Sequence, residues 1–451
     1  MINANTLDTV ELMELDRRHH LHPLTNPVSH AQTGPDLVVR AEGIYLYTSD
    51  GHRLMDIGSG LHNVNIGYGN PRLCQAAFDA MRQLSFSPSI FGRSNPWTAA
   101  LSGKLAEITS KRFQQFLFTS TGSDAVEASI KIVLWYWRLL GKPQRRTIIS
   151  RRLAFHGNTL FTASLTGINL YHEQFGLPLA GMIHHAASPY WYRDGAGRSK
   201  EQFGYDIAKD LEKQILEIGP ENVAAFVGEP VQVGGGTLVP PSTYWPEVRR
   251  ICDRYDILLI SDEVITGFGK TGRMFGFQTL DFEPDLFAMA KGLSSGYFPI
   301  SGVGLGRKVS AVIQNADEIF AHVFTNSGHP VGAAVSLANI DFIEENALVD
   351  KVRLDIGPYF AKKLDELLEF PCVGEVRSLG VLGAVEYDLS KSSNSAAKDA
   401  EGVLAEKLSQ ITRRRGLALR GNGICLPMII TRQQIDEALG ILKESIVEAL
   451  Y

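Results

Sequence analysis

The stretch ILLISDEVITGFGKTGRMFGFQTLDFEPDLFAMAK, residues 257–291, decides how the rest of the chain reads. Its apolar start, Ile257 to Ile260, is a continuous hydrophobic run of the kind found in parallel strands buried on both faces. It leads straight into an acidic pair, Asp262–Glu263. A second apolar run, LFAMA, ends in one lysine, Lys291, followed at once by Gly292. Two buried strands thus deliver a carboxylate and an amine to the same end of a sheet. An amine in such a place sheds its proton, because desolvation disfavours ammonium, and the free amine attacks a carbonyl. A buried aspartate can hold a proton on a ring nitrogen. Together they describe a pyridoxal phosphate (PLP) site, with Lys291 forming the Schiff base and Asp262 pairing with the pyridinium.

A nucleotide-binding reading competes for the same residues, since Gly269-Lys270-Thr271 resembles the end of a phosphate loop. That loop needs a glycine five residues before its second glycine, and here that place holds Val264. The GKT also follows the acidic strand instead of lying far upstream of it. The reading fails on both counts.

Composition narrows the field. A chain of 451 residues exceeds what one compact core holds, so two or more structural units are expected. A net charge of -5 with no basic stripe makes nucleic acid and anionic membrane poor partners. Cys74, Cys252, Cys372 and Cys425 are scattered without a CxxC pair, which speaks against metal or disulfide frameworks and for a reducing compartment. No signal core and no long apolar run is found, so the expectation is cytoplasmic.

Outward from the central stretch, the N-terminal segment is polar and rich in histidine (His19, His20, His22, His30). It reads as an exposed segment packing on a partner subunit, and no metal site is expected. LVVRAEGIYLYTSDGHRLMDIG alternates, with Asp50-Gly51 as a hairpin turn. Helices are predicted over PRLCQAAFDAMRQL and TAALSGKLAEIT, then a strand QQFLFTS, the turn Thr121-Gly122-Ser123, and a helix from Asp124. A strand–turn–helix of this kind suits phosphate: Gly122 lets the backbone approach an anion, Ser123 adds a hydroxyl, and free N–H groups at the helix start point the same way. Alternation continues through RTIISR, AFHGNT, AAFVGEPV and a helix around Tyr244 to Tyr255, which implies a mostly parallel sheet with helices on both faces. Ligands in such folds bind at the carboxyl ends of strands, where the phosphate turn, Glu229, Asp262 and Lys291 all fall. SKSSNSAAK, residues 390–398, reads as a surface loop.

At this point the motifs taken together resemble the class III, or omega, aminotransferases of PLP fold type I, over nearly the full length. The matching segments are GLHNVNIGYG, STGSDAVEASIK, AFHGNT, GEPVQVGGGTLVPP, LLISDEVITGFGKTGRMFGF, PDLFAMAKGLSSGYFPISGV and HVFTNSGHPVGAA. The resemblance implies an α/β, aspartate aminotransferase-like fold: a large domain with a mostly parallel seven-stranded sheet, and a smaller α+β domain built from both termini. The implied boundaries are 1–70 for the N-terminal segment and part of the small domain, 71–332 for the large domain and 333–451 for the C-terminal part. Lys291 would carry PLP and move the proton, and Asp262 would keep the ring nitrogen protonated. Val264, two residues on and facing the same way on the strand, would pack against the ring. Gly122 and Ser123 would bind the phosphate, and Phe324 and Thr325 would reach it from the neighbouring subunit of a homodimer. His156 and Glu229 would belong to the shell around the ring.

Departures from the family pattern bear on substrate. Phe155 stands where a tyrosine usually precedes the His-Gly pair, and His62 where many members carry tryptophan. Ile90 and Phe91 fall in the loop that lines the partner's pocket. At Phe155 ring stacking survives and a hydroxyl is lost, whereas the changes at His62 and in the Ile90–Phe91 loop suggest room for a bulky or omega-type amine. Arg420 aligns with the arginine that clamps the acceptor carboxylate, and Gly234 leaves no acid to shield it. The resemblance implies a ping-pong aminotransferase with S selectivity, using an oxo acid such as pyruvate. A racemase, aminomutase or decarboxylase would use the same cofactor residues, and a catalytically silent PLP-fold binding module is the reading from another class.

Overall fold

The strand that ends in Asp262 occupies the middle of a seven-stranded sheet. The computed structural model describes residues 8–179, 181–389, 400–419 and 421–450. Its strands are β1 (Val38–Glu42), β2 (Tyr45–Thr48), β3 (Arg53–Asp56), β4 (Phe113–Thr119), β5 (Thr147–Arg151), β6 (Ile183–Ala186) and β7 (Val223–Gly228). They continue with β8 (Leu258–Asp262), β9 (Leu286–Met289), β10 (Ser301–Gly306), β11 (Val373–Leu379), β12 (Leu382–Tyr387), β13 (Leu417–Ala418) and β14 (Gly423–Cys425). The large sheet has the order β4-β10-β9-β8-β7-β5-β6. Neighbours from β9 through β6 pair in parallel, and β10 alone runs against both of its neighbours.

Every residue of β7, β8 and β9 is buried, as their unbroken apolar patterns require of strands covered on both faces. One face packs on the helix Gly122–Leu139, whose Val126, Ile130 and Val133 meet Ile260, Ala288 and Val303 of the sheet. The other face packs against helices at Tyr244–Arg254 and Pro330–Glu345. The predicted hairpin is present: Gly51, at φ +85°, turns the chain between β2 and β3. β13, from near the C-terminus, adds in parallel to β3, and β11-β12-β14 form a separate three-stranded sheet. No helix among the described residues is long and apolar enough to cross a membrane.

Three elements differ from the sequence reading. AFHGNT, read as part of the strand–helix alternation, forms a non-helical turn, because its backbone groups are taken by side chains of the site. The helix expected from Asp124 begins two residues earlier, at Gly122. SGVGLG, to which the sequence reading gave no element, is β10, and the aromatic ring of Phe287 on β9 lies over it. A Cβ on Gly304 would come within 2.1 Å of Phe287 Cε1, so the strand accepts only glycine there. Gly304→Ala should therefore destabilise the protein by about 1–3 kcal/mol through overpacking, read as a lower midpoint in urea at unchanged slope. A neutral outcome would mean that the β9–β10 pair yields more than its packing suggests.

Candidate active site

Parallel pairing of β8 with β9 puts Asp262 opposite Ala288, three residues before Lys291. Asp262 is buried at the strand's carboxyl end, and both its oxygens are engaged. Oδ2 lies 2.7 Å from His156 Nδ1, and Oδ1 accepts the Val264 N–H at 3.1 Å. His156 is fixed from behind, its backbone N–H donating to Thr166 Oγ1 at 2.9 Å. Its other ring nitrogen, Nε2, is buried without a hydrogen-bond partner and lies 4.0 Å from Glu229 Oε2, which has none either. Glu229 Oε1 accepts the Phe155 N–H at 3.1 Å, and the wholly buried Arg151 donates to the Glu229 carbonyl. Burial holds the Glu229 carboxyl above its usual range, with His156 and Arg151 acting against the shift. The chain of groups from Arg151 through Glu229 and His156 to Asp262 is a buried polar network in which Arg151 Nε and Nη1, Glu229 Oε2 and His156 Nε2 have no hydrogen-bond partner.

The amine side is built on strained backbone. Lys291 begins a single 3₁₀ turn, Lys291–Leu293, with φ +41°, a conformation that costs a residue with a side chain of order 1–3 kcal/mol. Gly292 follows because Asn65 stands in the way: a Cβ there would come within 2.5 Å of Asn65 Nδ2. The same Asn65 accepts a hydrogen bond from Lys270 Nζ through Oδ1 and donates to the Phe268 carbonyl at 3.0 Å. Lys270, discarded above with its phosphate-loop resemblance, is thus a second, wholly buried amine beside the first. Burial pulls the Lys270 amine down to about 8. Burial and then the Lys270 ammonium pull Lys291 down to about 8, while Asp262 opposes. His62 is half-buried and held neutral: burial, then the charges of Lys291 and Lys270, lower it to about 3.

The turn after β4 meets these groups at close range. A Cβ on Gly122 would lie 3.0 Å from Val264 Cγ1 and 3.6 Å from Ala290 Cβ, so glycine lets three loops converge. Because the helix starts at Gly122, the N–H groups of Gly122 and Ser123 belong to its unsatisfied first turn. Thr121 caps the helix, and the Asp124 carboxylate turns back onto the Thr121 N–H at 3.0 Å, clear of the concave side. Ser123 Oγ accepts the Asn158 N–H at 3.1 Å, which ties this turn to the His156 loop. The arrangement is an anion cradle: oriented donors and a positive helix end, with the neighbouring acid already committed.

The remaining residues singled out in the sequence fall as follows. Val264 lies past the end of β8, in a turn, and not on the strand as expected; its contact with Gly122 comes from that turn. Phe155 is half-buried, edge-on to Tyr171 at 5.3 Å between ring centroids. A Cβ on Gly234 would meet Phe155 Cβ at 2.9 Å, so glycine at 234 keeps Phe155 in place as well as leaving no acid there. Ile90 and Phe91 lie in a loop stitched to the segment following Phe324 and Thr325: Ser89 N–H donates to the Ser327 carbonyl at 2.9 Å, and Thr98 Oγ1 to the Gly328 carbonyl at 2.7 Å. Arg420 lies outside the described residues, as does the loop 390–398. Asn65, Lys270 and Arg151 were not recognised from the sequence. An arginine closing the buried strand RTIISR and a lysine inside an apolar segment were the available signals, since a charge is rarely buried without a task.

Lys270 has a measurable consequence. Two amines lowered to about 8 bind fewer protons in the folded chain than in the unfolded chain, where lysine titrates near 10.4. Stability from these groups therefore rises as pH increases through that window and is absent below it. Lys270→Met should remove much of this rise: wild-type stability minus that of the variant should grow between about pH 8 and 10, as read from urea unfolding. Parallel curves would rule out titration of Lys270 in that range.

The family model described as aminotransferase class-III matches residues 28–446. The chain is 40% identical over 441 residues to a putrescine–pyruvate aminotransferase of Pseudomonas aeruginosa, covering 97% of this chain and 96% of that one. Among solved structures it resembles an (S)-enantioselective omega-transaminase from Thermomicrobium roseum, with TM-score 0.94 and 40% identity over 99% of this chain and all of that one. An omega transaminase from Pseudomonas jessenii, solved in complex with PMP, gives TM-score 0.93 and 36% identity over 97% of this chain and 98% of that one. On the strength of these matches the chain belongs to the class III aminotransferases, a family of PLP-dependent enzymes.

Proposed function

We propose that the enzyme transfers an amino group from an amine donor lacking an α-carboxylate, of the omega or bulky type, to a 2-oxo acid such as pyruvate. The observation that carries the site assignment is the convergence of Gly122, Val264 and Ala290, which gathers the anion cradle, the Asp262 turn and the residue before Lys291 within van der Waals reach. The donor set fits PLP. The Gly122–Ser123 helix start takes the phosphate, and Asp262, braced by His156, holds the proton at the pyridine nitrogen. Phe155 and Val264 flank the ring, and Glu229 with His156 Nε2 supplies the free polar atoms beside it. PLP when bound provides an aldehyde for the amine and an electron sink for the Cα carbanion.

The chain's own groups do the rest. Lys291, its amine lowered to about 8, is unprotonated in roughly a tenth of molecules at pH 7; it would hold PLP through that amine and would take and return the Cα proton. The fixed Asp262–His156 pair keeps positive charge at the far end of the ring through both half-reactions. Neutral His62 contributes shape and no charge near the amine, which suits a donor lacking a carboxylate. The putrescine–pyruvate activity named for the P. aeruginosa relative supports this substrate class. Absorption spectroscopy tests the reading: the protein should carry a PLP band that bleaches on adding a diamine or a simple primary amine and returns with pyruvate. Lys291→Ala should lower turnover by at least 10³-fold, about 4 kcal/mol of barrier. A protein that takes up no PLP, or bleaches only with α-amino acids, would overturn the function or the donor class respectively.

We further propose a homodimer in which Phe324 and Thr325 complete the partner's phosphate site. Supporting it are large apolar side chains left exposed on the two stitched segments: Phe91 is 93% exposed, Ile319 89% and Val323 62%. Phe91→Asp combined with Val323→Asp should shift the protein toward monomer in sedimentation and lower its PLP affinity together. Loss of neither would remove this surface from the interface.

A further inference from the structure

Outside the active site, one cluster of chemically able side chains stands apart, in the N-terminal segment. The helix Thr9–His19 is followed by a short loop and a second helix, Pro27–Thr33. Neither helix has a buried residue, so hydrophobic packing does little to hold them together. Side chains from both helices and the loop instead converge on one carboxylate. Asp16 Oδ1 lies 2.9 Å from His22 Nε2 and 3.1 Å from His30 Nε2, and Oδ2 lies 3.1 Å from His20 Nδ1. The His20 and His22 rings are 4.1 Å apart, and those of His22 and His30 are 4.3 Å apart. Three of the four histidines that the sequence reading took as an exposed contact segment are therefore a cluster of their own.

We propose that Asp16, His22 and His30, with His20 as the fourth donor, form a binding site for a divalent transition-metal ion of the zinc class. The ligand atoms of Asp16, His22 and His30 all lie within 4.8 Å of one another. Tetrahedral zinc with bonds of about 2.0–2.1 Å spaces its ligand atoms about 3.4 Å apart, so small side-chain rotations make the sphere. Three imidazoles from a helix end, a loop and a second helix meet at one carboxylate, with neighbouring rings 4.1 and 4.3 Å apart, which is the donor set of a metal site. A divalent ion uses neutral imidazoles, so the same packing becomes favourable. Nitrogen with a single oxygen donor suits zinc and its neighbours over magnesium or calcium, which prefer oxygen.

The surroundings agree. Asp16 is in the last turn of its helix and His20 is the C-cap, so the carbonyl end of the helix faces the site and favours a cation. Arg17 and Arg18 adjoin the cluster and both pair with Glu14, at 3.2 and 2.5 Å, which offsets one of their two charges. Asp16 and His30 are the better shielded donors, with side chains 19% and 10% exposed, and His20 at 60% is the one nearest solvent. The ion's role is that of a staple: it would join two helices that share no core, as structural zinc does in small metal-dependent folds. It has no part in the transamination chemistry.

The test uses the untagged, PLP-loaded protein after dialysis against a chelator, titrated calorimetrically with Zn²⁺ alone and separately with Mg²⁺. One saturable Zn²⁺ per chain is expected, with no comparable Mg²⁺ binding. His22→Ala combined with His30→Ala should weaken Zn²⁺ binding at least 100-fold, and Asp16→Asn about tenfold, whereas His52→Ala, exposed and outside the cluster, should leave it unchanged. Because the cluster buries no core residue, the variants should keep the wild-type circular dichroism and PLP spectrum. Trypsin digestion supplies a second readout: Zn²⁺ should slow cleavage at Arg17 and Arg18 in the wild type and not in the double variant. Absence of saturable binding, or equal binding by the double histidine variant, would overturn the proposal.

Discussion

The parallel register of β8 against β9 is the constraint on which the site depends. Asp262 is opposite Ala288, and the Glu263 N–H donates to the Ala288 carbonyl at 2.9 Å, so the two strands leave the sheet at one level. A slip by one residue would send Asp262 to the other face, since side chains alternate along a strand. The anion cradle is attached to this edge through Gly122, whose missing side chain admits Val264 and Ala290. Three strand ends are thus held in one place by ladder hydrogen bonds and by a single small residue.

Glu263, beside Asp262 in sequence, does different work. It points away from the lysine and accepts hydrogen bonds from Ser261, Thr266 and the N–H groups of Gly276 and Phe277, at 2.6 to 3.2 Å. Burial pushes its carboxyl up to about 7 even against those four donors. Its effect is to fold the segment 263–277 back on the sheet, which fixes the position of Lys270. That lysine, through Asn65, borders the Gly292 backbone. Its charge lowers the neighbouring amine and helps hold His62 neutral. Acid and base in this site are tuned by burial first and by one another second.

Much of this was legible in residues 257–291, because a strand buried on both faces must be apolar throughout and a charged residue at its end is conspicuous. The antiparallel β10 was not legible, since its glycines answer to the Phe287 ring on the adjacent strand and to no local preference. Nor was the pairing of His156 with Asp262, residues separated by more than a hundred positions. The N-terminal histidines looked alike in sequence, and only the folded loop and second helix bring His20, His22 and His30, unlike His19, to hydrogen-bonding distance of Asp16.

What the sequence by itself determined was the alternation of strand and helix, the acid and amine at strand ends, the glycine–serine turn before a helix and the family to which these belong. Those features depend on period, turn chemistry and residue type, all of which are local. Tertiary structure alone decided which polar groups share a network: Arg151, Glu229, His156 and Asp262 in one, Lys270, Asn65 and Gly292 in another, and Asp16 with its three histidines in a third. Each joins residues from separate elements, and a buried polar group is satisfied by whatever neighbour the packed fold supplies, a choice that chain order does not record.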